Sequence, residues 1–209
     1  MRALPVWSFA FLLLLPALSW AQTETPEIET TNVVINPAPP KTKLEAVATA
    51  KGVLVIGGFT DIGTISTDSG EGVLVTAVEY TNASNQERHY GLILTVHQIQ
   101  GSASRYARSY IDEDELDDLI SSLEAMQRLD HTATQLADFT GRLRTRGDLE
   151  IGNVPIDGAR ALMIRAVQIQ QTSGEIIWAV VHEPFSRMSD LIQCVTSGKQ
   201  TLDKIKSNR

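Results

Sequence analysis

Six of the seven residues from Asp112 to Asp118 carry a carboxylate: Asp112, Glu113, Asp114, Glu115, Asp117 and Asp118. Such a density could form a protein-binding face or hold a hard cation. A calcium loop, however, spaces its acids as Asp-x-Asp-x-Asp and needs glycine at its sharp turn, and no glycine stands here. Leu116 interrupts the run and begins an apolar stripe, so the acids are expected in the first turn of a helix, where the dipole favours negative charge. Asp112 is the expected N-cap, with Glu115 completing a capping box and Ile111 and Leu116 forming a hydrophobic staple.

A second charged run has the opposite sign. Arg142, Arg144 and Arg146 alternate with Leu143 and Thr145, which on a strand puts three guanidinium groups on one face. Guanidinium grips planar anions with two bonds, so these three residues are the candidate binding stripe, for carboxylate, phosphate or sulfate. The plainer expectation is a solvated strand face that pairs with the acidic helix start. Arg146-Gly147-Asp148 spells an integrin tripeptide, but a tight turn with positive φ at Gly147 explains it without adhesion.

Other reactive residues form no constellation. His89, His97, His131 and His182 stand far apart, without zinc-ligand spacing, and no metal or cofactor site is expected. There is no Gly-x-Ser-x-Gly elbow and no phosphate-cradling Gly-Lys loop, so no catalytic residue is assigned. Cys194 is the single cysteine. No intrachain disulfide can form, and its place in a helical apolar pattern predicts a buried thiol. Asn82-Ala83-Ser84 is a glycosylation acceptor sequence in an expected turn.

The elements that must position these residues are legible from periodicity. Thr42, with Glu45 three residues on, predicts a short capped helix over Thr42–Lys51. Strand patterns follow at Val53–Ile56, Ile62–Thr67, Val73–Thr81 and Tyr90–Gln100, the last two joined by a polar turn. Leu116, Leu119, Ile120, Leu123 and Met126 mark one buried stripe of a helix. Strands are then expected at Leu136–Thr145, Leu149–Val154, Ala161–Gln170 and Ile176–His182, with a hairpin turn at Asp157-Gly158. A last helix follows, capped by Ser186, with Met188, Leu191, Ile192, Val195, Leu202 and Ile205 on one side.

The halves repeat. Val96-His97-Gln98-Ile99-Gln100 matches Ala166-Val167-Gln168-Ile169-Gln170 at a step of 70 residues, and Asp118-Leu119-Ile120 matches Asp190-Leu191-Ile192 at 72. The expected fold is α+β: two tandem ββββα repeats, about residues 50–130 and 134–209, forming antiparallel sheets that share two amphipathic helices as one core. In element order over roughly residues 50–206 this resembles the plant Whirly proteins, which bind single-stranded DNA. The lysine-rich strand motif of that family is missing and the charge has the wrong sign, so neither its function nor its residues transfer.

Residues 1–21 have the three zones of an export signal: Arg2, an apolar run from Leu4 to Leu18, and Ser19-Trp20-Ala21 at the expected cleavage site. That run is too short to span a bilayer, so no membrane insertion is expected after cleavage. Residues 22–41 hold Pro26, Pro37, Pro39 and Pro40 and predict a tether, with Val33-Val34-Ile35 as a possible short strand; residues 42–209 form a single expected domain. The chain carries a net charge of −7, and loss of Arg2 makes the remainder more acidic, which excludes counterion-driven nucleic-acid binding. The expectation is a secreted or periplasmic, non-catalytic binding domain whose partner is an extracytoplasmic protein or a second copy. The alternatives are a hydrolase with an unrecognised site and a small-anion or glycan binder using the arginine stripe.

Overall fold

The computed structural model describes residues 39–67, 70–130, 132–136, 139–169 and 174–208, all within one compact unit, Ile35–Arg209. The expected export signal, the tether up to residue 38, Val33-Val34-Ile35 and His131 lie outside the described residues. A short helix α1 (Lys43–Ala48) leads into four strands, β1 (Val55–Ser66), β2 (Gly72–Asn82), β3 (Arg88–Gln100) and β4 (Ala103–Asp112). A 3-10 turn over Glu113–Glu115 then opens α2 (Leu116–Gln127). The second half repeats this order with β5 (Gly141–Arg144), β6 (Glu150–Ile156), β7 (Ala159–Ile169), β8 (Ile176–Pro184), a 3-10 turn over Phe185–Arg187, and α3 (Met188–Ser207). Each set of strands is an antiparallel meander in sequence order. The fold is therefore two tandem ββββα units.

Turn chemistry sets the hairpins. Asp157 and Gly158 both have positive φ, 50° and 78°, the requirement of the two-residue turn that matches strand twist. Between β2 and β3, the Asn82 side chain accepts hydrogen bonds from Ser84 N and Oγ, at 3.0 and 2.7 Å.

The repeat extends to strand register. Leu92 faces Ile111 and Val96 faces Ala107 across β3–β4; Leu162 faces Glu183 and Ala166 faces Ala179 across β7–β8. These are the same pairs displaced by the 70- and 72-residue steps, so the two-residue insertion falls between the third and fourth strands. The side chains of two matched glutamines join the sheets reciprocally. Gln98 Oε1 on β3 accepts from Val180 N on β8 at 3.3 Å, and Gln168 Oε1 on β7 accepts from Arg108 N on β4 at 3.2 Å. A local two-fold thus runs between β4 and β8.

Neither half buries its own apolar face. The helix α3, which follows the second sheet, lies against β1, β2 and β3 of the first, while α2 packs on β5 and on α3. Leu92, Leu94, Leu116, Leu123, Leu162, Ile164, Leu191 and Val195 meet in one core, each contributing about 1.5–3 kcal/mol by leaving water. The approach of α3 is close: a Cβ on Gly198 would come within 2.7 Å of Leu92 Cδ2. A smaller cluster sits on the other face of the first sheet, where Leu44 of α1 packs with Val78, Tyr80 and Ile93.

Several expected elements differ from those observed. The two short strands Val53–Ile56 and Ile62–Thr67 are one strand, β1, bent by a register shift between Asp61 and Gly63. The fourth strand of the first sheet is instead β4, which carries too few large apolar residues to announce itself. Ser186 does not cap the last helix; it lies in the preceding 3-10 turn and its carbonyl accepts from Ser189 Oγ. Positive φ falls on Asp148, at 60°, and not on Gly147. Glycine is needed at 147 for another reason, since a Cβ there would meet the Tyr110 carbonyl oxygen at 2.2 Å.

Candidate functional site

The acidic run and the arginines meet. Arg146 lies in the turn after β5 and reaches the start of α2, where its guanidinium pairs with Asp114, with Glu115 Oε2 at 3.4 Å and with Asp112 Oδ2 at 3.9 Å. Its backbone N–H donates to Glu115 Oε1 at 2.8 Å. Lys43 of α1 pairs with Asp114 from the other side at 2.8 Å, and the Lys43 and Arg146 hydrogen bonds hold the Asp114 carboxyl below its usual range.

Asp112 does not cap α2. Its side chain makes no bond to that helix, and its two oxygens instead accept from Lys43 N and Leu44 N, both at 2.9 Å. It therefore satisfies the first free N–H groups of α1, alongside Thr42, whose hydroxyl accepts from Glu45 N at 3.0 Å as expected. Glu115, the expected capping-box partner, is engaged by Arg146. The network is a clamp that fastens α1 and the β5–β6 turn to the start of α2.

Arg142 and Arg144 do share the exposed face of β5, but Arg146 is off the strand, so the stripe of three is a stripe of two. Each of the two has a carboxylate within reach, Glu150 at 3.5 Å for Arg142 and Asp148 at 2.9 Å for Arg144. Asp148 also pairs with Lys41. Each of these arginines thus stands beside one of the protein's own acids.

Cys194 is half-buried, not fully buried as expected. It packs on the core from α3, so close to β1 that a Cβ on Gly63 would lie 2.8 Å from its Sγ, and burial pushes its pKa up. His89 lies 3.3 Å from Glu87, and His97 Nδ1 lies 2.9 Å from the Gly70 carbonyl. Among the described residues, no three His, Cys, Asp or Glu side chains come together as a metal site, and no helix is long and apolar enough to cross a membrane.

Two surfaces stand out that the sequence did not disclose. One is the open edge of β1, hydrogen-bonded only to β2 among the described residues, where Leu54, Ile56 and Phe59 are exposed. The other is a cleft of about 430 Å³ on the local two-fold, lined by Ser104 to Tyr106 of β4 and by Glu175 to Trp178 at the start of β8. Exposed apolar side chains at strand ends look like ordinary strand residues in sequence; only the sheet order shows that one strand is an edge and that the other two converge. No protein-family model, curated protein or solved structure matches the chain.

Proposed function

We propose that this protein is an exported, non-catalytic binding domain, and that it binds by adding a strand to β1. The observation that carries this is the edge itself. From Val55 to Thr60 the strand has no charged side chain, and over its 12 residues Asp61 is the sole charge. Protected edges are short, charged, bulged or covered; among the described residues the first half of β1 is none of these, and Phe59 remains 62% exposed although its ring meets Tyr80 edge-on at 5.9 Å. Such an edge offers main-chain hydrogen bonds for affinity and side-chain pockets for register.

The occupant that fits is a second copy, with β1 antiparallel to its symmetry mate. A charge-free segment can pair with itself without like-charge repulsion, whereas the rest of this acidic chain repels its own kind. The export part of the reading rests on the composition of residues 1–21, and the non-catalytic part on the lack of a nucleophile-elbow, phosphate-loop or zinc motif in the sequence.

Sedimentation of the secreted protein over a range of concentrations tests this. The expected result is a monomer–dimer equilibrium that Ile56→Lys with Phe59→Lys abolishes while far-UV circular dichroism is unchanged. A monomer at every concentration, or a dimer indifferent to both lysines, would sink the proposal.

A further inference from the structure

The cleft on the local two-fold is built from matched residues. Tyr106 and Trp178 stand at the same place in the two repeats, 72 residues apart, next to the matched Ala107 and Ala179 of β4 and β8. Both large rings face water, Tyr106 at 55% and Trp178 at 41% exposure. Neither is loose. Tyr106 stacks on His97 with ring centroids 4.3 Å apart and planes within 5°, and His97 is itself fixed by Gly70. The Arg105 guanidinium lies 5.4 Å over the Trp178 ring. A ligand that stacks here finds its platforms already oriented, which lowers the ordering cost of binding.

We infer that this cleft is a binding site for an uncharged saccharide. The π-faces of the rings are negative and suit the partly positive C–H face of a pyranose. Around them, the Ser104 hydroxyl both donates and accepts, the Arg105 guanidinium donates, and the Glu175 carboxylate accepts, which is the mixture that sugar hydroxyls need. One cation and one anion line the cleft, so it selects for no net charge. Its volume falls in the ~300–1,000 Å³ range of small-molecule sites.

Two competing ligands fit less well. Single-stranded nucleic acid also stacks on aromatic rings, but it requires a positive groove, and this chain carries −7. A peptide adding to β4 or β8 would need their outer N–H groups. Those of Arg108 and Val180 already bond to Gln168 and Gln98 of the opposite sheet.

Tryptophan fluorescence reads the site directly. The chain has three tryptophans, Trp7, Trp20 and Trp178, so the full chain carrying Trp7→Phe and Trp20→Phe reports from the cleft alone, whether or not residues 1–21 are removed. Cellopentaose, chitopentaose and maltopentaose are titrated separately. The expected result is a saturable change in emission with at least one of them. Tyr106→Ala should weaken it by about tenfold or more, Tyr106→Phe should preserve it, and Ile56→Lys with Phe59→Lys should not affect it even where self-association is lost. Arg105→Glu, on an exposed side chain, is the second loss variant should Tyr106→Ala fold poorly. No saturable response to any of the three sugars would overturn the inference. So would undiminished binding by both loss variants, or a response to decaproline or to a thymidine decanucleotide in place of the sugars.

Discussion

The first and second sheets share register at their third and fourth strands and part company at their outer strands. Where β1 runs 12 residues with one charge, β5 runs four with two arginines. Where the first sheet carries α1 on its outer face, the described part of the second carries no helix there. Where the first sheet buries Ile111, the second buries Glu183. The strands that stayed alike meet at the local two-fold, where Gln98 and Gln168 tie each sheet to the other. The strands that diverged each pair with one strand only among the described residues. A duplicated fold is thus free to change at its edges and outer faces, and there it has acquired its open strand and its clamp.

The largest expected effect separates the two outer faces. Gly91 on β3 and Ala161 on β7 are matched positions, facing Asp112 and Pro184 in their sheets. A Cβ on Gly91 would sit 2.1 Å from the Ile111 carbonyl oxygen and 2.4 Å from Leu44 Cδ1. The backbone oxygen cannot step aside, so Gly91→Ala should destabilise by about 3 kcal/mol. Ala161→Gly, with no helix above it, should cost only about 0.5–1 kcal/mol in strand propensity. Equal losses in urea denaturation would mean that the close approach of the Ile111 carbonyl and Leu44 at Gly91 is not what distinguishes the two positions.

Asp112 should come next. Replacing it with Ala strands two N–H groups of α1 and should cost about 1–3 kcal/mol, with Asp112→Asn recovering part. Asp117→Ala, at an exposed position of α2, should stay within about 0.5 kcal/mol. Because Asp112 serves α1, hydrogen exchange should accelerate at Leu44 while the amides of α2 keep their protection. Acceleration in α2 instead would return Asp112 to the role of an α2 cap.

Much of this comparison was legible in the sequence. The 3.6-residue stripe of α2, the Asp157-Gly158 turn and the two matched pentapeptides are local patterns, and they sufficed for the ββββα repeat. What escaped was non-local or unpatterned. In β4, Ser104, Tyr106, Arg108 and Tyr110 alternate with Arg105, Ala107, Ser109 and Ile111, so neither face reads as a clean apolar row. Gly57-Gly58, which carry no side chain, split the strand pattern of β1 in two. Asp112 sat beside a plausible helix of its own while its true partners, Lys43 and Leu44, lay almost 70 residues earlier. Tyr106 and Trp178 were ordinary strand aromatics until the two-fold brought their strands together.

Glu183 tests the buried difference. It is 3% exposed, and its Oε1 has no hydrogen-bond partner. Burial raises its pKa above that of an ordinary glutamate, opposed by Arg187 and assisted by Glu71. The folded state therefore holds this proton more tightly than the unfolded one. The group's full contribution is present below about pH 4.5 and is lost as pH rises through the higher folded value. Glu183→Gln removes that loss, so the variant should gain on the wild type as pH climbs from about 4 to 7, by about 1 kcal/mol at the upper end. Melting curves at both ends of that range check it. A wild-type advantage that grows with pH would mean that Glu183 is ionised and well partnered in the folded protein.

The smallest effect concerns β5, the edge matched to β1. If Arg142 and Arg144 serve only to keep that edge solvated, their ion pairs with Glu150 and Asp148 are surface pairs worth at most about 1 kcal/mol each. Arg142→Gln with Arg144→Gln should then leave the melting temperature nearly unchanged and the sedimentation of the protein as it was, since four residues of edge offer few hydrogen bonds to a partner. Substituting Ile at both positions removes the charge and adds β-propensity, leaving strand length as the remaining difference from β1. New self-association in the Ile variant that survives Ile56→Lys with Phe59→Lys would show that charge keeps the second edge closed. If the Ile variant does not associate, length decides: the 12 residues of β1 can lie against a second strand where the four of β5 cannot.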